Sequence, residues 1–145
     1  MLVEIEFCGI CGTDLHLWLH NGVGFWTLKT PCGLGHEASG RVLKAGAEVK
    51  HLVPGDRVTM EPADYCGRCV HCTAGNNNLC HLNTVEDLAP LGFFANHVTY
   101  PAFLCHRLPD SITMEEGSLV EPLACALRGV LRANIRPGED ILVSC

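Results

Sequence analysis

The chain has 145 residues, enough for one domain with a real core, and its 48 % hydrophobic content fits a folded protein. A formal charge of -6, with only ten Lys and Arg spread along the chain, argues against nucleic acid as a partner, because counterion release needs clustered cations. Ten cysteines would suit a secreted disulfide scaffold, but there is no signal-peptide pattern, no Asn-x-Ser/Thr site and no apolar run of membrane-spanning length, so metal-bound thiolates in a reducing cytoplasm are expected, with no membrane partner.

In chain order, Leu2 to Phe7 alternates acidic and apolar residues, which predicts a half-exposed strand. Cys8-Gly9-Ile10-Cys11-Gly12-Thr13-Asp14-Leu15-His16 follows. Its glycines would let the backbone bend so that Cys11, Thr13 and His16 face one cavity, although taken alone the stretch reads better as a loop with a buried cysteine. Residues 31 to 40 then set His36 and Glu37, both metal-ligand types, side by side in a glycine-framed bend. Gly33-x-Gly35-x-x-Ala38 imitates a dinucleotide fingerprint, but Pro31 precedes it closely and Gly40 would interrupt the helix that such a fingerprint needs.

Gly40 to Val49, Asp56 to Glu61 and Ala95 to Leu108 read as short strands of a small curved antiparallel sheet or barrel, with Pro54-Gly55-Asp56 a tight turn. Between them Cys66, Cys69, Cys72 and Cys80 stand at gaps of two, two and seven residues. Four thiolates in one short Gly-rich loop predict a closed tetrahedral site suited to structural Zn2+. An iron-sulfur cluster usually has its fourth cysteine three residues on and before a proline, and unliganded or disulfide-bonded cysteines are the remaining alternative. A loop that runs on to Pro90 without a core of its own needs such an ion to order it.

From Asp110 the period changes. Asp110 or Ser111 is expected to cap a helix with Met114, Glu115 and Glu116 in its first turns, and Pro122 to open a second. Leu123, Leu127, Val130 and Leu131 share one face of that second helix and are expected in the core, and Ile141 to Cys145 is expected to be a buried parallel strand.

These motifs together resemble a known family. Gly35-His36-Glu37-x-x-Gly40, with Gly46 and Val49 at their offsets, resembles the zinc signature of medium-chain alcohol and polyol dehydrogenases. The four-cysteine stretch resembles that family's structural zinc lobe, and Cys11-Gly12-Thr13-Asp14 its first catalytic ligand loop. The resemblance implies a mainly β fold with short helices: a GroES-like, partly open β-barrel over residues 1–120 carrying the zinc lobe at 62–90, followed at 121–145 by only the first helix and strand of a truncated Rossmann domain. It implies Cys11, His36 and Glu37 as catalytic zinc ligands of the sorbitol-type branch, Glu121 as a further acidic residue, and Cys66, Cys69, Cys72 and Cys80 around the structural zinc.

Glutamate at 121, before Pro122-Leu123, favours a sugar alcohol of the sorbitol, L-iditol or xylitol type. Whether it meets the zinc directly, through water, or binds a substrate hydroxyl is left open. Leu17 departs from the tyrosine that sorbitol dehydrogenases commonly carry there, so another secondary alcohol stays open too. Zinc would acidify the bound alcohol, hydride would pass to NAD or NADP, and Thr13 and His16 would relay the proton to solvent while Asp14 fixed the tautomer of His36. Duller readings make His16 a surface histidine, Asp14 a loop cap and Glu37 structural. Cys8, Cys32, Cys105, Cys125 and Cys145 are expected to be small apolar residues. No phosphate-binding Gly-x-Gly-x-x-Gly is present, so this stretch alone is expected to be inactive, and the full-length enzyme a homo-oligomer. The alternatives are another zinc alcohol or threonine-type dehydrogenase, a zinc-binding interaction module, or a non-catalytic barrel that regulates a longer homologue.

Overall fold

The computed structural model describes residues 1–23, 26–27, 32–81 and 92–144. The expectations for Pro31, for the loop from 82 to 90 and for Cys145 lie outside the described residues. The strands are β1 (Leu2–Gly9), β2 (Gly22–Val23), β3 (Trp26–Thr27), β4 (Glu37–Lys44), β5 (Arg57–Met60), β6 (His97–Thr99) and β7 (Cys105–Arg107). Five of them make one antiparallel sheet in the order β6-β1-β4-β5-β7, and β2 and β3 form a separate two-stranded ribbon. This is the mainly β, open-barrel architecture expected, with the two outermost strands left unpaired to each other.

Alternation explains which side chains go inward. Val3, Val42, Val58 and Met60 are fully buried and meet Leu52, Phe93, Tyr100 and Leu104 in one core. Phe93 and Tyr100 pack edge to face at 5.1 Å, and the Tyr100 hydroxyl donates to the Glu61 carbonyl at 2.7 Å. β4 starts at Glu37, earlier than expected, and stops at Lys44, because Ala45 to Glu48 turn and the Val49 amide donates to the Gly46 carbonyl. Ala95 to Leu108 is two strands rather than one, since the chain makes a 3-10 turn at Ala102–Leu104 directly after Pro101.

The helices bring four corrections. Gly12–His20, expected as a glycine bend, is a nine-residue helix, α1, with Cys11 at its N-cap and the Asp14 carboxylate accepting the Cys11 amide at 2.9 Å. α2 (Val70–Thr73) lies in the cysteine lobe. α3 (Met114–Ser118) is capped by Thr113, not Asp110 or Ser111: Thr113 Oγ1 accepts the Glu116 amide while Glu116 accepts the Thr113 amide, a reciprocal pair that neither earlier residue has in position three beyond it. α4 (Val120–Ala133) starts two residues before Pro122, which is tolerated in a first turn whose amides have no helical partner. The stripe of Leu123, Leu127, Val130 and Leu131 is 53–68 % exposed instead of buried, and every other residue of α4 from Leu123 onward is exposed too. Residues 141–144 are exposed and carry no strand pairing, for among the described residues no strand lies beside them.

Candidate metal centres

The cysteine lobe is assembled from local turns. Cys69 occupies the N-cap of α2, Cys72 the third helical position, and Cys80 follows a 3-10 turn at Asn77–Leu79. Cys66, Cys69, Cys72 and Cys80 all have their sulfurs within 4.8 Å of one another. The Cys69 and Cys72 sulfurs are 3.5 Å apart and those of Cys66 and Cys72 4.0 Å. A tetrahedral ion with Zn–S bonds of about 2.3 Å requires sulfurs about 3.8 Å apart, whereas a disulfide would need about 2.05 Å, so the spacing fits the ion and excludes the bridge. The Cys72 backbone amide draws the Cys69 thiol down to about 5, and burial together with the Cys69 sulfur pushes Cys72 up to about 12.

The second cluster is gathered from segments far apart in sequence. Cys11 comes from the start of α1, Glu37 from the first residue of β4, and His36 from the bend before it; their ligand atoms also lie within 4.8 Å of one another. Two glycines make this possible. Gly35 has φ +88°, which turns the chain so that His36 and Glu37 enter the site, and Gly9 is the residue paired with Glu37, where a Cβ would collide with the Glu37 carboxylate.

Asp14, 3 % exposed, ties the parts together. Its carboxylate accepts the Cys11 amide at 2.9 Å and the Gly35 amide at 2.8 Å, and Oδ1 lies 3.5 Å from His36 Nδ1. One sulfur, one imidazole and one carboxylate make a mixed donor set with room for a fourth ligand, the opposite of the closed S4 lobe.

The remaining candidates are placed unevenly. Thr13 is half-buried in the first turn of α1, two residues beyond Cys11. His16 is exposed, and its ring lies 5.9 Å from that of His20, one turn along, tilted to it by 37°. Glu121, in the first turn of α4, stands outside the three-residue cluster. Cys125, expected as an inert apolar filler, is exposed and its thiol donates to Glu121 Oε1 at 3.4 Å. Partial burial raises that thiol, and the hydrogen bond to Glu121 and the charge of that carboxylate add to the effect. The spacing of four between Glu121 and Cys125 on a helix was the signal for it. By contrast, burial pushes the Cys8 thiol up to about 11, as for a small packed side chain.

The chain is similar to known proteins over nearly its whole length. The chain is 43 % identical over 144 residues to D-xylulose reductase A of Aspergillus niger, a match that takes in 99 % of this chain and 40 % of that protein. Its fold superposes on L-idonate 5-dehydrogenase from Escherichia coli with a TM-score of 0.82 at 30 % identity, over 91 % of this chain and 39 % of that one. It also superposes, with a TM-score of 0.81 at 26 % identity, on a chain described as a short chain alcohol dehydrogenase from Escherichia coli CFT073 in complex with NADH, over 92 % of this chain and 38 % of the other. The chain thus spans about 40 % of the length of the curated relatives it matches. The alcohol dehydrogenase GroES-like domain matches residues 1–110, and the chain belongs to that family.

Proposed function

We propose that the protein carrying this chain is a zinc-dependent, NAD- or NADP-linked polyol dehydrogenase that oxidises a secondary alcohol of a sugar alcohol to a ketone. The observation that carries this reading is the convergence of Cys11, His36 and Glu37 from three segments into one mixed-donor cluster. The similarity to a xylulose reductase and to an idonate dehydrogenase supports the substrate class. Two zinc ions are expected, one in the S4 lobe and one held by Cys11, His36 and Glu37. When bound, the second zinc supplies Lewis-acid polarisation of the alcohol oxygen and the nicotinamide supplies the hydride acceptor.

The chain's own residues then have defined work. Asp14 beside His36 Nδ1 leaves Nε2 as the donor nitrogen and keeps the ring from turning. Thr13 offers the hydroxyl that takes the alcohol proton, and His16, exposed on the same helix, can hand it to water. Glu121, approaching from α4, is positioned for a substrate hydroxyl more readily than for the ion, because it lies outside the cluster. The test is metal analysis combined with NAD(P)-linked oxidation of xylitol, sorbitol and L-iditol by the protein carrying this chain. Two zinc ions and polyol oxidation that disappears in His36→Ala are expected. A single ion with unchanged oxidation in that variant would overturn the reading.

A further inference from the structure

On the far side of β4 and β5 three arginines meet where sequence alone drew no attention. Arg41 and Arg57 stand directly opposite each other in the β4–β5 register, an arrangement of like charges that antiparallel strands ordinarily avoid. With Arg107 of the adjacent strand they line an open cavity of about 230 Å³, which also touches Gly55, Asp56 and Asp110. A water molecule's share of liquid volume is about 30 Å³, so the space admits a polyatomic ion.

The hydrogen bonds hold these guanidiniums in place and leave one of the three, Arg57, weakly neutralised. Of the six they make, four end on uncharged carbonyls: Gly55 for Arg41, Ile112 and Pro109 for Arg57, and His51 for Arg107. Arg41 is countered by Glu6 at 3.1 Å and Arg107 by Asp56 at 2.6 Å. Arg57 is the exception. Its side chain is only 22 % exposed, yet among the described residues its one carboxylate partner is Asp110 at 3.7 Å, which is itself wholly in solvent, where such a pair contributes little. A partly desolvated guanidinium fixed by two carbonyls, with further N–H groups available, is an incomplete ion pair.

We propose that this cavity is a binding site for a small tetrahedral oxyanion, phosphate or the phosphate group of a phosphomonoester, held by Arg57 at its base and Arg41 and Arg107 at its sides. Planar guanidiniums that line one space and keep N–H groups beyond those in the hydrogen bonds above match the geometry of such an ion. The site is separate from both cysteine-containing clusters and shares no residue with them. Three arginines and two aspartates line it, so any attraction for an anion rests on the weakly paired Arg57.

Calorimetric titration with sodium phosphate, against chloride at equal ionic strength, tests the site on the protein carrying this chain. Saturable one-site binding is expected, weakened at least tenfold in Arg107→Gln, whose exposed side chain can be replaced without unfolding the sheet. Asp110→Asn removes the competing carboxylate and is expected to tighten phosphate several-fold, a direction that a purely structural arginine clamp would not produce. Glycerol 3-phosphate in a parallel arm separates the sources: equal or tighter binding identifies a phosphomonoester, and its absence identifies the free ion. No saturable phosphate binding above the chloride control, or equal affinity in both variants, would overturn the proposal.

Discussion

The two metal-ligand clusters share a cysteine sulfur donor but differ in the rest of their ligands and are built in opposite ways. In the lobe, four cysteines lie within fifteen consecutive residues, and the turns that present them are too short to form a core. Cys11, His36 and Glu37 are brought together by strand pairing, a helix start and a buried carboxylate, all of which exist without an ion. A local cluster therefore depends on its cation for its shape, while a distributed one inherits its shape from the sheet. The lobe should behave as a folding element and the other cluster as a reaction centre.

Removing the lobe's ion gives the largest expected effect. Cys69→Ser should lose one zinc equivalent and destabilise the protein by several kcal/mol, on the order of half the metal-binding energy of a small zinc domain, with rapid proteolysis near residues 66–80. Metal analysis and limited proteolysis check it, and an unchanged zinc content would erase the distinction between the clusters. His36→Ala should also lose one equivalent and all polyol oxidation, but with a stability change of only about 1 kcal/mol, since the sheet holds the segment. Thermal unfolding decides between them: a loss as large as that of Cys69→Ser would show that the second cluster, too, is a folding element.

Asp14→Asn sharpens the comparison by leaving every ligand in place. Zinc affinity at the Cys11, His36 and Glu37 cluster should fall about 10–100-fold while the lobe's affinity is unaffected, as measured by competition with a chromogenic chelator. The smallest effect sets the scale for a change remote from both clusters. Thr113→Ala removes the α3 cap and should cost about 1 kcal/mol with normal zinc content. The cap also carries a pH signature. The Thr113 amide and hydroxyl hold the Glu116 carboxyl below its ordinary value of 4.5, so its contribution is complete above that pH and fades as pH falls through the lower folded value. Unfolding of the wild type and Thr113→Ala should therefore converge in acid.

The contrast between the clusters also explains what could be read from sequence. The lobe was legible from spacing alone, because its geometry is written in neighbouring residues. Cys11, His36 and Glu37 were suggested only by resemblance to a family, since no local pattern says that residue 11 will meet residue 36. The helix at Gly12–His20 was missed because Gly12 reads as a bend and cysteine is a rare cap, so the Asp14 side chain had to supply the amide's partner. For α4 the periodicity gave the helix correctly but not its burial. A stripe such as Leu123, Leu127, Val130 and Leu131 records that a face is apolar, and what covers that face is a property of the neighbours. Residues 141–144 failed for the same reason, as a strand exists only beside another strand. The opposed arginines had no local sign in composition or charge count, whereas the Glu121–Cys125 pair was signalled only by its spacing of four.

The carboxylate at position 14 has one more consequence. By gripping amides of both loops it pins the socket in its receiving shape before any cation arrives. Capture and release can then proceed as simple ligand replacement at a standing template, with no loop to rebuild between one occupant and the next. Exchange of the metal at this socket should be fast, while that of the sulfur-bound ion waits on local unfolding.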